Sequence, residues 1–265
     1  VLFYLPMAAV VIYLNQLMPL EGGLYQWAKL GFNPKIGFLL AWNLWLYVIV
    51  FTSEIGIQCA TYLSYALGPS AAWMTSSSWF VALSSAIILT LMATAATIGL
   101  AGGKWVHNIG GVFMLIIFGV LIALPFIGLA TGHLGEFHPF RTELPEMSLL
   151  NLNILGKMGF GALGGFEYMA ILAGETRAPA SAIRRSVYIA APIIAVMFIL
   201  GTATVVAYVP TNEIDLIGPM PQVLRAGFEP FGIAGPLVTI AILMTLAMRV
   251  AQVSVSFTAV TRLPM

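Results

Sequence analysis

The stretch GFGALGGFEYMAILAGE, Gly159 to Glu175, lies inside one of the long apolar runs of the sequence. It nevertheless carries four glycines, Gly159, Gly161, Gly164 and Gly165, followed by the carboxylate of Glu167. A glycine inside a helix costs roughly 0.5–1 kcal/mol relative to alanine. A carboxylate near the centre of a lipid-spanning helix costs about 2.5 kcal/mol or more on insertion scales. The segment is therefore expected to break. Unpaired peptide groups in lipid cost several kcal/mol each, so irregular backbone persists only where protein surrounds it or where it lines a wet cavity. The glycines alone are equally consistent with close helix packing, because Gly161 and Gly165 have the GxxxG spacing. Glu167 turns the reading toward a polar site: freed carbonyls accept from an ammonium, and a half-helix N-terminus favours an anion. A purely structural role for Glu167, bracing the broken helix by a hydrogen bond, stands beside that reading.

The surrounding chain defines the medium. Of 265 residues, 60% are apolar and 8% charged, a balance expected of a lipid-facing surface and not of a soluble core. Seven apolar runs, at about 1–18, 36–66, 79–101, 108–131, 152–174, 186–209 and 231–259, are mostly long enough to span ~30 Å of hydrocarbon as helices. Stretches such as MLIIFGVLIALPFIGLA do not alternate in polarity, which excludes barrel strands. The expectation is an all-α, multi-pass membrane protein with one broken helix, forming a single transmembrane domain over residues 1–265. Its only cysteine, Cys59, excludes a disulfide within the chain.

Lys29, Lys35, Lys104, Arg177, Arg184, Arg185 and Arg262 fall on one side of the predicted spans, and Arg141, Lys157 and Arg225 on the other. The first side is cytoplasmic by the positive-inside rule. Val1 opens within an apolar run and Met265 closes directly after TRLP, so the chain reads as a fragment. Trp73, Trp79 and Trp105, near helix ends, read as interfacial anchors. The acid-rich loop from Gly132 to Asn151, with His133 and His138, reads as an external connection.

Three stretches in order carry a family resemblance. GFGALGGFE followed by GETRAPASAIRR resembles the sixth helix and following loop of the amino acid, polyamine and organocation (APC) transporter superfamily. MPLEGGLYQWAKLGFNPKIGFLLAWNLW, with Pro19, Gly22, Gly23, Tyr25, Gly37, Phe38, Trp42 and Trp45, resembles the exit of its second helix through its third. TRLPM resembles the exit of its eighth. The resemblance implies helices two to eight of an inverted-repeat (5+5) bundle, in which substrate sits between unwound parts of the first and sixth helices. It places substrate contact at Phe160, Gly161, Ala162, Gly164, Gly165, Phe166 and Glu167, with the carbonyls around Phe160, Gly161 and Ala162 on the α-amino side. The aromatic lid of many members has its nearest counterpart at Phe160, and Arg184 stands in a loop position where proline is usual. The family's lysine in the fifth helix has no counterpart in NIGGVFMLIIFGVLIALPFIG. Coupling to H+ or Na+ is open: Thr245, Ser254 and Ser256 could supply hydroxyls, though such residues often bond back to their own helix.

Two further charges lie deep. Glu54 and Arg249, counted from the cytoplasmic ends at ~1.5 Å per residue, differ in depth by ~9 Å and are expected either to pair as a scaffold bridge or to form part of a proton or ion route. Gln58 and Tyr47 are weaker candidates for lining a pathway. His107 reads as interfacial. No lysine follows Lys157, which excludes a retinal pigment, and the apolar runs hold neither an Asp nor a deep His to support an intramembrane hydrolase. No phosphate loop, dinucleotide fingerprint or basic nucleic-acid patch appears, and no cofactor or metal site is expected. The sequence reads as a secondary amino acid permease of the cytoplasmic membrane working by alternating access. A polyamine or cationic amino acid exchanger is the near alternative, and a channel or seven-helix receptor the distant one.

Overall fold

The computed structural model describes residues 3–98, 100–132, 146–231 and 234–263, with the backbone alone at 98, 100–102, 157–163, 175 and 234. The expected external loop and its His133, His138 and Arg141 lie outside the described residues, except at its two ends.

Helix α1 (Tyr4–Leu17) ends at a corner that contains Gly22 and Gly23, both at positive φ. Short α2 (Leu24–Gly31) follows. Helix α3 (Pro34–Ser53) starts where Asn33 accepts the Ile36 N–H at 3.0 Å, with proline as its first residue. Helix α4 (Ile55–Leu67) continues α3 after a turn at Glu54, whose carbonyl still accepts from Gln58 N–H at 3.1 Å, and it closes at Gly68 with φ 87°. Then come α5 (Trp73–Ser76), α6 (Ser78–Ile98) and α7 (Leu100–Thr131). The interrupted segment forms α8 (Leu149–Leu163) and α9 (Phe166–Ile171). Last are α10 (Pro179–Tyr208), α11 (Pro219–Phe228) and α12 (Ala234–Val260).

Five spans are long and apolar enough to cross a bilayer: Pro34–Leu67, Ser78–Thr97, Gly103–Thr131, Pro179–Tyr208 and Gly235–Val260. The remaining two expected runs, 1–18 and 152–174, are the shorter apolar α1 and the broken α8–α9 pair. Two boundaries differ from expectation. Residues 102–107, read as a loop, belong to α7, because glycine lowers helix stability without breaking a hydrogen-bonded ladder. Helix α10 starts at Pro179, which suits a first helical turn, so Arg184 lies in the helix instead of the preceding loop. Large apolar side chains such as Leu83, Leu91, Phe126 and Ile199 stay exposed, as lipid-facing positions require. Trp73, Trp79 and Trp105 are exposed near helix N-termini, in keeping with interfacial anchors.

The chain divides into two compact units: 1–46 with 141–194 and 259–265, and 47–140 with 195–258. The second unit packs Tyr62, Ile117, Leu121, Leu124, Val223, Leu224 and Ile242 into its core. Small residues let its helices approach closely, as where Gly110 meets Ala251 and Gly201 meets Phe118. In the first unit α1, α2 and α9 pack together.

Candidate functional site at the interrupted helix

Only Gly164 and Gly165 separate α8 from α9. Gly164 is extended (φ −74°, ψ 173°), and Gly165 has φ 123° and ψ −19°, a conformation that favours glycine. The break is narrower than the sequence suggested, since Phe160, Gly161 and Ala162 remain helical through Leu163. The cost of glycine per position is about 1 kcal/mol, whereas each unpaired peptide group in lipid costs several, so the ladder persists until the Gly-Gly pair. The last carbonyls of α8, from Phe160 to Leu163, nevertheless sit at a helix C-terminus, where no following turn of the same helix pairs them. The side chain of Phe160, and with it the expected lid position, lies outside the described residues.

Glu167, the second residue of α9, is half-buried, and its Oε2 accepts the Gly165 N–H at 2.9 Å. This back-bond satisfies one of the orphan donors at the start of α9, as a capping carboxylate does, and places a negative charge at the favourable end of the helix dipole. The structural role considered for Glu167 is thus present. Among the described residues, only Oε2 of its two oxygens is engaged.

Helix α9 is held from two sides within its own unit. Phe166 is buried and tilts against Tyr4 of α1, with ring centroids 5.3 Å apart, while the Tyr4 hydroxyl donates to the Ala191 carbonyl of α10 at 3.1 Å. From the α1–α2 corner, Gly22 N–H donates to Ile171 O at 3.2 Å. A Cβ on Gly23 would fall 2.7 Å from the Ala170 carbonyl carbon, so this glycine is what lets the corner touch the α9 backbone. The Gly22-Gly23 pair was legible as a motif. Tyr4 was not singled out, because a tyrosine in an apolar run carries no signal of its partner.

The other deep charges fall in the second unit. Arg249 lies near the middle of α12, a position that costs about 2.5–3.5 kcal/mol on insertion scales. Its guanidinium donates to Gln252 Oε1 at 3.1 Å and faces the Tyr62 phenol, while its Nε is buried with no hydrogen-bond partner among the described residues. The expected Glu54–Arg249 bridge is absent from the described contacts of Arg249. Tyr62 lies two turns beyond Glu54 on α4, ~12 Å along the axis; counting depth along straight helices misplaced the two charges. Glu54 is half-buried at the α3–α4 turn and engaged in its own interactions. Gln58 is buried and Tyr47 exposed. His107 turns toward α12, with Nε2 3.3 Å from Ser254 Oγ. Thr245 and Ser256 bond back to the Ala241 and Gln252 carbonyls at 2.8 and 3.3 Å.

Long apolar helices with one interrupted at a Gly-Gly pair beside a carboxylate define an all-helical integral membrane protein of the transporter class. The family model described as amino acid permease matches residues 1–263, and the chain belongs to that family. It is 25% identical over 247 residues to an uncharacterized transporter of Legionella pneumophila, covering 92% of this chain and 52% of the relative. Over 215 residues it is 22% identical to a probable agmatine/putrescine antiporter of Lactococcus lactis, covering 81% and 45% of the two chains. It is also 22% identical over 215 residues to a probable polyamine transporter of Arabidopsis thaliana, covering 79% and 40%. The chain spans about half the length of the relatives it matches. The family and these relatives are membrane transporters, not enzymes.

Proposed function

We propose that this chain forms part of a secondary transporter that carries amino acids across the cytoplasmic membrane by alternating access, with the α8–α9 interruption as its contribution to the substrate site. The observation that carries the reading is the Gly164-Gly165 break, with the Glu167 carboxylate bonded back to the Gly165 N–H at 2.9 Å. A helix C-terminus offers carbonyls to an ammonium, and a carboxylate one turn away adds charge of the right sign. In the proposed site Phe160, Gly161 and Ala162 offer backbone carbonyls, Gly164 and Gly165 make room for the solute, and Phe166 with Glu167 begins the second half-helix. The driving gradient in this reading is H+ or Na+.

A second reading, exchange of polyamines or cationic amino acids, draws on two relatives that are named for agmatine, putrescine or polyamines. It also suits an acid beside carbonyls that has no cation partner among the described residues. Counterflow in proteoliposomes made with the full-length protein decides between these readings. Labelled L-leucine, L-arginine and putrescine are each offered against the same unlabelled solute inside. Saturable, trans-stimulated uptake of leucine supports the amino acid reading, uptake of arginine or putrescine without leucine supports the second reading, and flux that neither saturates nor exchanges rejects a carrier.

A further inference from the structure

The geometry points to a small-anion site at Arg249, built with Tyr62 and Gln252 in the second unit. Arg249 is a permanent cation near the middle of a 27-residue apolar helix. Such a charge requires a counter-charge or a polar ligand. Among the described residues its partners are neutral: the Gln252 side-chain oxygen at 3.1 Å and the Tyr62 phenol.

The acid whose charge reaches Tyr62 is committed elsewhere. Asp215, which shares the electrostatic neighbourhood of Tyr62, accepts the Tyr65 hydroxyl on Oδ2 at 3.1 Å and the Ile217 and Gly218 N–H groups on Oδ1 at 2.9 and 3.2 Å. Both of its oxygens therefore serve the 213–218 turn and α4. The buried Nε–H of Arg249 has no acceptor among the described residues, although a buried donor is ordinarily satisfied. A cation without a carboxylate, an unfilled N–H and a phenol beside it are the donor set that holds a monovalent anion, with guanidinium and hydroxyl donating together. The Gln252 amide supplies two further N–H donors on the same helix face, three residues from Arg249.

The anion is a dissolved halide or the carboxylate of a transported solute, and its chemistry at Arg249 is the same in both cases. Thermal unfolding of the purified full-length protein in detergent separates them without relying on any transport activity. Potassium chloride, acetate and methanesulfonate are compared at equal ionic strength. Chloride raising Tm above methanesulfonate in a saturable way identifies a halide site, and acetate alone doing so identifies a carboxylate site. Arg249→Gln abolishes the anion-dependent shift, and Tyr62→Phe, which retains the ring, raises the half-saturating concentration about tenfold. No saturable shift in the unsubstituted protein overturns the proposal, as does an unchanged shift in Arg249→Gln. If Arg249→Gln does not fold, an unchanged half-saturation in Tyr62→Phe overturns it instead.

Discussion

At Glu167 one carboxylate oxygen is bonded to the Gly165 N–H at 2.9 Å, so the side chain combines a local brace with a charge placed at a helix break. The two roles separate on substitution. In Glu167→Gln the amide oxygen still accepts from Gly165, so thermal stability falls by no more than the difference between a charged and a neutral bond, about 1 kcal/mol. The charge is lost, and the KM of a cationic probe such as putrescine rises at least tenfold in uptake assays if the carboxylate meets the solute. An unchanged KM with lowered Tm assigns Glu167 to bracing alone. Gly165 isolates the backbone contribution. A Cβ there meets no atom within 4 Å, yet φ is 123°, so Gly165→Ala destabilises by about 1–3 kcal/mol through conformation only, read as a drop of several degrees in Tm. Both residues were legible in the sequence, because an acid after paired glycines in an apolar run is rare for a physical reason. The extent of the break was not, since the sequence does not reveal that hydrogen bonds carry α8 through Gly159 and Gly161.

Between elements, the docking of the α1–α2 corner on α9 decides whether the second half-helix has a fixed position. Gly23→Ala places a methyl group about 2.7 Å from the Ala170 carbonyl carbon, and backbone cannot yield as a flexible side chain can. The corner should therefore separate from α9, with counterflow falling more than tenfold and a lower Tm; wild-type stability and counterflow in this variant would show that the docking is dispensable. Tyr4→Phe keeps the ring against Phe166 and removes the bond to the Ala191 carbonyl, which costs about 1 kcal/mol by thermal unfolding. Helix positions and the order of elements follow from apolar run length, which is why the seven runs correspond to the observed helices. Partners across helices do not follow from it. The Arg249 neighbourhood depends on tilt and on the α3–α4 turn at Glu54, neither of which leaves a periodic signature, and His107 facing Ser254 was hidden for the same reason.

For the molecule as a whole, the membrane-embedded helical fold and membership of the amino acid permease family were both accessible from composition and from three short stretches in order. Substrate identity was not, because side-chain selection depends on pocket shape and the glycine-rich stretch reports mainly on backbone. The central claim is that Gly164-Gly165 is interrupted because a solute and water reach it. Gly164 is exposed in an extended conformation that cysteine can adopt, and the native Cys59 is buried. The most direct measurement is reaction of Gly164→Cys, in a Cys59→Ser background, with a charged membrane-impermeant thiosulfonate in proteoliposomes probed from each face. The account predicts modification from at least one face, slowed several-fold by whichever of leucine, arginine or putrescine is exchanged. A cysteine that stays unmodified from both faces, or reacts at the same rate with and without the exchanged solute, would contradict it.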